Sequence, residues 1–236
     1  GPYIGAMADP FLIKICGLST PATLEAALDA GADMVGFVFF PPSPRNIGPD
    51  TAKQLSEITG KRAQTVALVV DADDAFLEAA VSALKPSILQ LHGKESPQRV
   101  AEIRARFGLP VMKALGISGP QDFDKVAAYE EVCDRLLFDA KPPKDATRPG
   151  GNGLAFDWSL LRGRHFRKPW MLSGGLTIDS VEEAILATGA TGIDVSSGVE
   201  SAPGVKDIAL IRIFVERARA AAAKAAKELG SPLKSA

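Results

Sequence analysis

Short apolar runs, each followed by an amphipathic stretch, recur along this chain from residue 11 onward, and that alternation restricts its fold more than any other feature. The runs fall at 11–15, 34–40, 65–70, 88–91, 110–115, 135–139, 170–172 and 192–195. The second is apolar at nearly every position. A strand without a polar face is buried on both sides, as in a parallel sheet covered by helices. The intervening stretches carry helix signals. Thr20 precedes Pro21, a capping residue followed by proline at the first helical position, and Leu24, Ala27 and Leu28 recur at helical spacing before Gly31. Further helices are expected at 49–58, 71–84, 96–107, 121–129, 156–161 and 178–188, and from 207 onward. The one at 71–84 would set Phe76, Leu77, Ala80 and Leu84 on one stripe.

Eight strand-then-helix units with no linker between them are the pattern of a single-domain α/β (β/α)8 TIM barrel. A doubly wound open sheet usually has fewer units and a G-x-G-x-x-G turn after its first strand, which is missing here. The barrel is expected over residues 9–219. Residues 1–8 read as a tag remnant and disordered N-terminus, and 220–236 as an Ala/Lys-rich tail, helical or frayed.

Charge and composition narrow the function. The 27 basic and 28 acidic residues nearly cancel, so neither nucleic acid nor an anionic membrane is an expected partner. No apolar run approaches the ~18 residues of a membrane span, and no signal peptide is read ahead of Phe11. Two distant cysteines, Cys16 and Cys133, fit a reducing cytoplasm better than a disulfide framework. With only His92 and His165 beside them, no metal site is expected, and no cofactor either.

In such a barrel the chemistry gathers at the C-terminal ends of the strands. Cys16 ends the first strand, Arg45 lies in the proline-rich loop after the second, and His92 follows the fourth. Asp139 ends the sixth strand, and Asp194 and Ser196 the eighth. Gly174-Gly175 and Ser196-Ser197-Gly198 fall in the loops after strands seven and eight, where small residues leave backbone N–H groups uncovered for a phosphate; tight turns alone would explain them too. Cys16 and Asp139 are the acid–base candidates. A thiolate can abstract a proton, and Lys14, two residues away on the same face, would depress its pKa. A carboxyl group in a dry site can stay protonated and donate, although Asp139 could equally pair with Lys141. Arg45 offers a planar fork for a carboxylate. His92 either contacts substrate or orients its loop. Lys14, Lys113 and Lys141 leave Schiff-base chemistry open, provided one of them is desolvated. Gly150-Gly151-Asn152-Gly153 reads as a flap or a bare turn.

Several of these stretches, taken together, resemble one family. Lys14-Ile15-Cys16-Gly17-Leu18, Gly36-Phe37-Val38-Phe39 with Pro42-Ser43-Pro44-Arg45, and Leu89-Gln90-Leu91-His92-Gly93 are similar to phosphoribosylanthranilate isomerases. So are Phe138-Asp139, Gly150-Gly151-Asn152-Gly153 with Phe156-Asp157-Trp158, Leu172-Ser173-Gly174-Gly175-Leu176, and Asp194 through Glu200. The resemblance implies an Amadori rearrangement of N-(5-phosphoribosyl)anthranilate on the route to tryptophan. It implies Asp139 as general acid at the furanose ring oxygen and Cys16 as general base at the sugar C2. Arg45 would hold the anthranilate carboxylate, His92 and Asp194 would contact the substrate, and Gly174, Gly175, Ser196, Ser197 and Gly198 would hold the phosphate. The implied partner is a small-molecule phosphosugar, and the chain a monomer or homodimer. The stretch between Asp139 and Gly150 is long for the family, and Lys144 and Arg148 have no assigned role. A histidine-pathway isomerase would instead use two carboxylates and show a repeated half-barrel. A lysine Schiff-base lyase would need Lys141 or Lys113 as its nucleophile. A non-catalytic phosphosugar-binding barrel would have no need of Cys16 or Asp139.

Overall fold

Alternation of side chains along each strand decides which residues fill the barrel and which meet the helices. A computed structural model describes residues 10–141 and 156–235. Its strands are β1 (Leu12–Cys16), β2 (Met34–Phe39), β3 (Gln64–Val69), β4 (Ile88–Leu91), β5 (Val111–Ile117), β6 (Arg135–Ala140), β7 (Trp170–Ser173) and β8 (Gly192–Val195). They pair in parallel, each with the next, and β8 pairs with β1 to close the ring. Met34, Val66, Ile88, Met112, Leu137 and Met171 form a cluster of their own, the plug of the barrel interior. On the same inward face, nearer the C-terminal mouth, stand Lys14 and Cys16 on β1, Gln90 on β4, Asp139 on β6 and Asp194 on β8. The opposite face, with Ile13, Ile15, Val35, Phe37 and Phe138, packs against the helices in the main core.

Those helices are α1 (Pro21–Ala30), α2 (Pro49–Thr59), α3 (Asp74–Leu84), α4 (Pro97–Phe107), α5 (Val126–Glu130), α6 (Val181–Thr188) and α7 (Ile208–Ser235). Thr20 caps α1 by accepting from Thr23 N, and Gly31 ends it at φ 95°. The barrel seam is tied from outside by Arg219 of α7, which donates to the carbonyls of Phe11 and Gly31 and to Asp33.

Five expectations need correction. Helix α3 begins at Asp74, not 71, because Asp71 is left-handed (φ 49°) and Asp73 supplies the cap through Phe76 N. Phe76 leaves the expected stripe and is 37% exposed. The helix expected at 121–129 divides into a 3-10 turn, Pro120–Phe123, and the short α5; Asp122 accepts from Ser118 N and Gly119 N, a local alternative to helical bonding. Between β6 and β7, where a helix is expected at 156–161, the described residues hold only a 3-10 turn, Trp158–Leu160, and α6 begins at Val181, not 178. A small antiparallel hairpin, β9 (Glu200–Ala202) with β10 (Val205–Lys206), stands between the turn Ser197–Val199 and α7. Among the described residues, no helix is long and apolar enough to cross a membrane.

Candidate active site

The strand ends converge on one cavity of about 310 Å³ at the C-terminal mouth. Every expected site residue lines it: Cys16, Arg45, His92, Asp139, Gly174, Gly175, Asp194, Ser196, Ser197 and Gly198. Residues far apart in sequence meet because each closes a strand or opens the loop behind one.

Beneath Cys16 lies a buried charge pair. Lys14, fully buried, donates to Asp194 Oδ1 at 2.9 Å, and Ser173 Oγ donates to Asp194 Oδ2 at 2.8 Å. The carboxylate partner of Lys14 is therefore Asp194, not Asp139. Burial would push the Lys14 ammonium down, but Asp194 and Cys16 outweigh it and raise its pKa above the ordinary lysine value. A lysine held protonated in this way cannot serve as a Schiff-base nucleophile. Lys113 faces out of the barrel, ion-paired at 2.7 Å with buried Glu95, and Lys141 is exposed.

Across the mouth, Asp139 Oδ2 lies 3.5 Å from His92 Nε2 and 3.6 Å from Lys141 Nζ. Burial would raise the carboxyl pKa, yet His92 and Lys141 together hold it below the ordinary carboxylate value. His92 and Lys141 thus favour the ionised form of Asp139, whereas a donor needs the protonated one. His92 is itself oriented from below, with Gln90 Nε2 3.0 Å from Nδ1. Arg45 presents Nε and Nη2 to Glu200 at 2.8 and 2.6 Å. That pairing uses one side of the guanidinium and leaves its end, the Nη1–Nη2 edge, for another oxyanion.

Two glycines bring the phosphate-loop candidates together. Gly174 is left-handed (φ 101°), and a Cβ on it would lie 2.2 Å from the Ala140 carbonyl oxygen. On Gly198 a Cβ would lie 1.8 Å from the Leu176 carbonyl oxygen. No side chain larger than hydrogen allows the end of β6 and the loops after β7 and β8 to touch backbone to backbone here. The Gly150–Gly153 stretch, Lys144 and Arg148 lie outside the described residues.

Gln90, Ser173, Glu200 and Lys206 also build the site, although the sequence alone assigns them no role. Gln90 had a signal, because it shares the face of His92 two residues on. Glu200 and Lys206 belong to one hairpin, and only the fold sets that pair against Arg45 and Ser196.

Fold and mouth together place the chain among the (β/α)8-barrel sugar isomerases. The profile of the N-(5'-phosphoribosyl)anthranilate (PRA) isomerase family matches residues 13–217, and the chain belongs to that family. It is 61% identical over 211 residues to an N-(5'-phosphoribosyl)anthranilate isomerase of Rhodopseudomonas palustris (strain BisB18), covering 89% of this chain and 97% of the relative. It is 58% identical over 210 residues to one from Beijerinckia indica, covering 89% and 95%. Among solved structures, the phosphoribosyl anthranilate isomerase of Thermotoga maritima superposes with a TM-score of 0.78 at 33% identity, covering 89% of this chain and 98% of that one. Another isomerase structure, in complex with reduced 1-(o-carboxyphenylamino)-1-deoxyribulose 5-phosphate, gives 0.76 at 32% identity with the same coverage.

Proposed function

We propose that this chain rearranges N-(5'-phosphoribosyl)anthranilate to 1-(2-carboxyphenylamino)-1-deoxyribulose 5-phosphate with Asp139 as general acid and Cys16 as general base. The observation that carries the reading is the placement of both groups in one cavity with Arg45 and the glycine turns. Asp139 protonates the furanose ring oxygen as the C1–O bond breaks, leaving a Schiff base between C1 and the anilino nitrogen. Cys16, as thiolate, takes the proton from C2, and the electron pair moves toward the iminium to give an enolamine. Tautomerisation of the enolamine then gives the ketone. A donor and an acceptor are needed in succession, and one residue of each kind faces the substrate space.

The ends of the substrate are anionic, and the cavity is arranged accordingly. The free edge of Arg45 grips the anthranilate carboxylate. Backbone N–H groups around Gly174, Gly175, Ser197 and Gly198 hold the phosphate, with Ser196 beside them. Asp194, fixed by Lys14 and Ser173, accepts from a sugar hydroxyl, and His92 bounds the cavity next to Asp139. The compound bound in the related isomerase structure, reduced 1-(o-carboxyphenylamino)-1-deoxyribulose 5-phosphate, carries a carboxylate at one end and a phosphate at the other, the two kinds of group this cavity is read to hold.

Loss of substrate fluorescence gives the direct test. Cys16→Ala and Asp139→Asn should each lower kcat by about 10²–10⁴-fold, the usual contribution of a positioned acid or base. Binding of the reduced product analogue should survive both changes. Full turnover by Cys16→Ala would remove the base assignment, and by Asp139→Asn the acid.

A further inference from the structure

Arg45 and the turn after β8 are joined by two buried side chains that do not line the cavity. Glu200 opens β9 and Lys206 ends β10, and their side chains are 3% and 1% exposed. Glu200 accepts from Arg45 Nε and Nη2, from Lys206 Nζ at 2.7 Å and from Gly204 N at 3.2 Å. Lys206 Nζ donates in turn to the Ser196 carbonyl at 3.0 Å and lies 3.2 Å from Ser196 Oγ. The hairpin tip rests on the loop that carries Arg45: a Cβ on Gly204 would lie 2.8 Å from the Pro44 carbonyl oxygen.

One carboxylate therefore fixes the side-on edge of Arg45, and one ammonium fixes the peptide just before Ser197. Two cations and one anion leave a net positive charge between the two ends of the cavity. A free arginine side chain samples many rotamers and loses that freedom when it grips a ligand. Holding it in place beforehand removes that cost from binding.

We propose that Glu200 and Lys206 are positioning residues that set the distance between the carboxylate-gripping edge of Arg45 and the phosphate turn at Ser196, so that the enzyme recognises the substrate's two anionic ends as a pair. The proposal rests on the assignment of those ends in the preceding section. It makes the β9–β10 hairpin a spacer, not a mere connection to α7. Lys206 reaches the carboxylate end only through Glu200 and Arg45, while it reaches the phosphate end directly.

The test uses the full chain with anthranilate and inorganic phosphate as separate competitive inhibitors. Lys206→Met should weaken inhibition by phosphate about tenfold, equivalent to about 1.4 kcal/mol, and inhibition by anthranilate to a smaller extent. KM should rise more than kcat falls, and Lys206→Arg should restore part of the loss. Glu200→Gln should weaken both inhibitors. In an Arg45→Ala background, Lys206→Met should still weaken phosphate yet leave anthranilate where Arg45→Ala put it. A purely structural role would lower the melting temperature without changing the ratio of the two inhibition constants, and that result overturns the proposal. So does an anthranilate effect of Lys206→Met that persists in full without Arg45. Should Lys206→Met fail to fold, the same readings are taken from Glu200→Gln and Lys206→Arg. A wild-type chain inhibited by neither probe overturns the assignment of the two ends and this proposal together; inhibition of the wild type by both, with unchanged constants in the variants, overturns the proposal alone.

Discussion

A carboxyl group that acts as an acid must carry a proton, and the cationic neighbours of Asp139 work against this. Burial favours the neutral form, but His92 and Lys141 face the carboxylate and prevail. Lys141 is the weaker fixture of the two, with an exposed side chain on a 3.6 Å contact. Its removal leaves burial less opposed, so the Asp139 pKa rises and the protonated form persists to higher pH. In Lys141→Met, the limb of the kcat/KM profile set by Asp139 should therefore move toward higher pH. An unmoved limb would show that Lys141 exerts no control over the acid. Lys14 illustrates the opposite balance. It is fully buried, yet it stays charged because Asp194 and Cys16 supply more than burial takes away. A lone lysine in a strand showed none of this. Its partner lies 180 residues away, and only ring closure brings the two together.

Among the elements, the loops after β7 and β8 depend on contact between backbones. A methyl group on Gly198 has to displace the Leu176 peptide. A shift of about 1 Å in a binding group can cost 10²-fold in rate. Gly198→Ala should accordingly lose about that much kcat/KM, with KM rising and inhibition by phosphate weakening while the fold persists; unchanged phosphate inhibition would take this turn out of the binding site. The strands themselves were legible because a barrel strand is apolar on both faces, and β4 and β8 fall on the very residues expected. Helix starts were less so. Asp71 looks like a first-turn acid, but its left-handed backbone makes it part of a turn, in which its N–H donates to Glu95 and its carboxylate accepts from Lys94 N. The candidate site was legible at the strand ends, where the fold supplies the position. Glu200 and Lys206 were not, because a short-range acid–base pair in a hairpin does not reveal that Arg45, from the loop after β2, will dock on it.

For the molecule as a whole, buried charges are conditional assets. Lys113 and Glu95 sit under the helices with side chains 1% and 2% exposed. Burial pushes the Glu95 pKa up, and the Lys113 ammonium brings it below the ordinary value. Lys113→Met strands that carboxylate and should cost about 3–5 kcal/mol of stability, with Lys113→Met combined with Glu95→Gln recovering part of it in denaturant unfolding. If the single and double variants unfold alike, the pair contributes nothing. Glu200 sets an acid limit. Burial raises its pKa, but Arg45 and Lys206 carry it from the ordinary 4.5 down to about 2. Between those values the unfolded chain binds the proton and the folded chain does not, so this contribution to stability is complete above 4.5 and disappears as the pH falls toward 2. The melting-temperature gap between wild type and Glu200→Gln should therefore narrow across that range, and a gap independent of pH would exclude the linkage.

The Lys14–Asp194 pair crosses the seam where β1 meets β8. Contacts between such distant parts of a chain are paid for in loop entropy before they return anything, and they form late. No open arc of strands can hold both charges face to face. Undocking β8 from β1 would leave the Lys14 ammonium without its carboxylate and take Asp194 out of the cavity wall. Closure of the ring and assembly of the floor beneath Cys16 are thus one and the same contact.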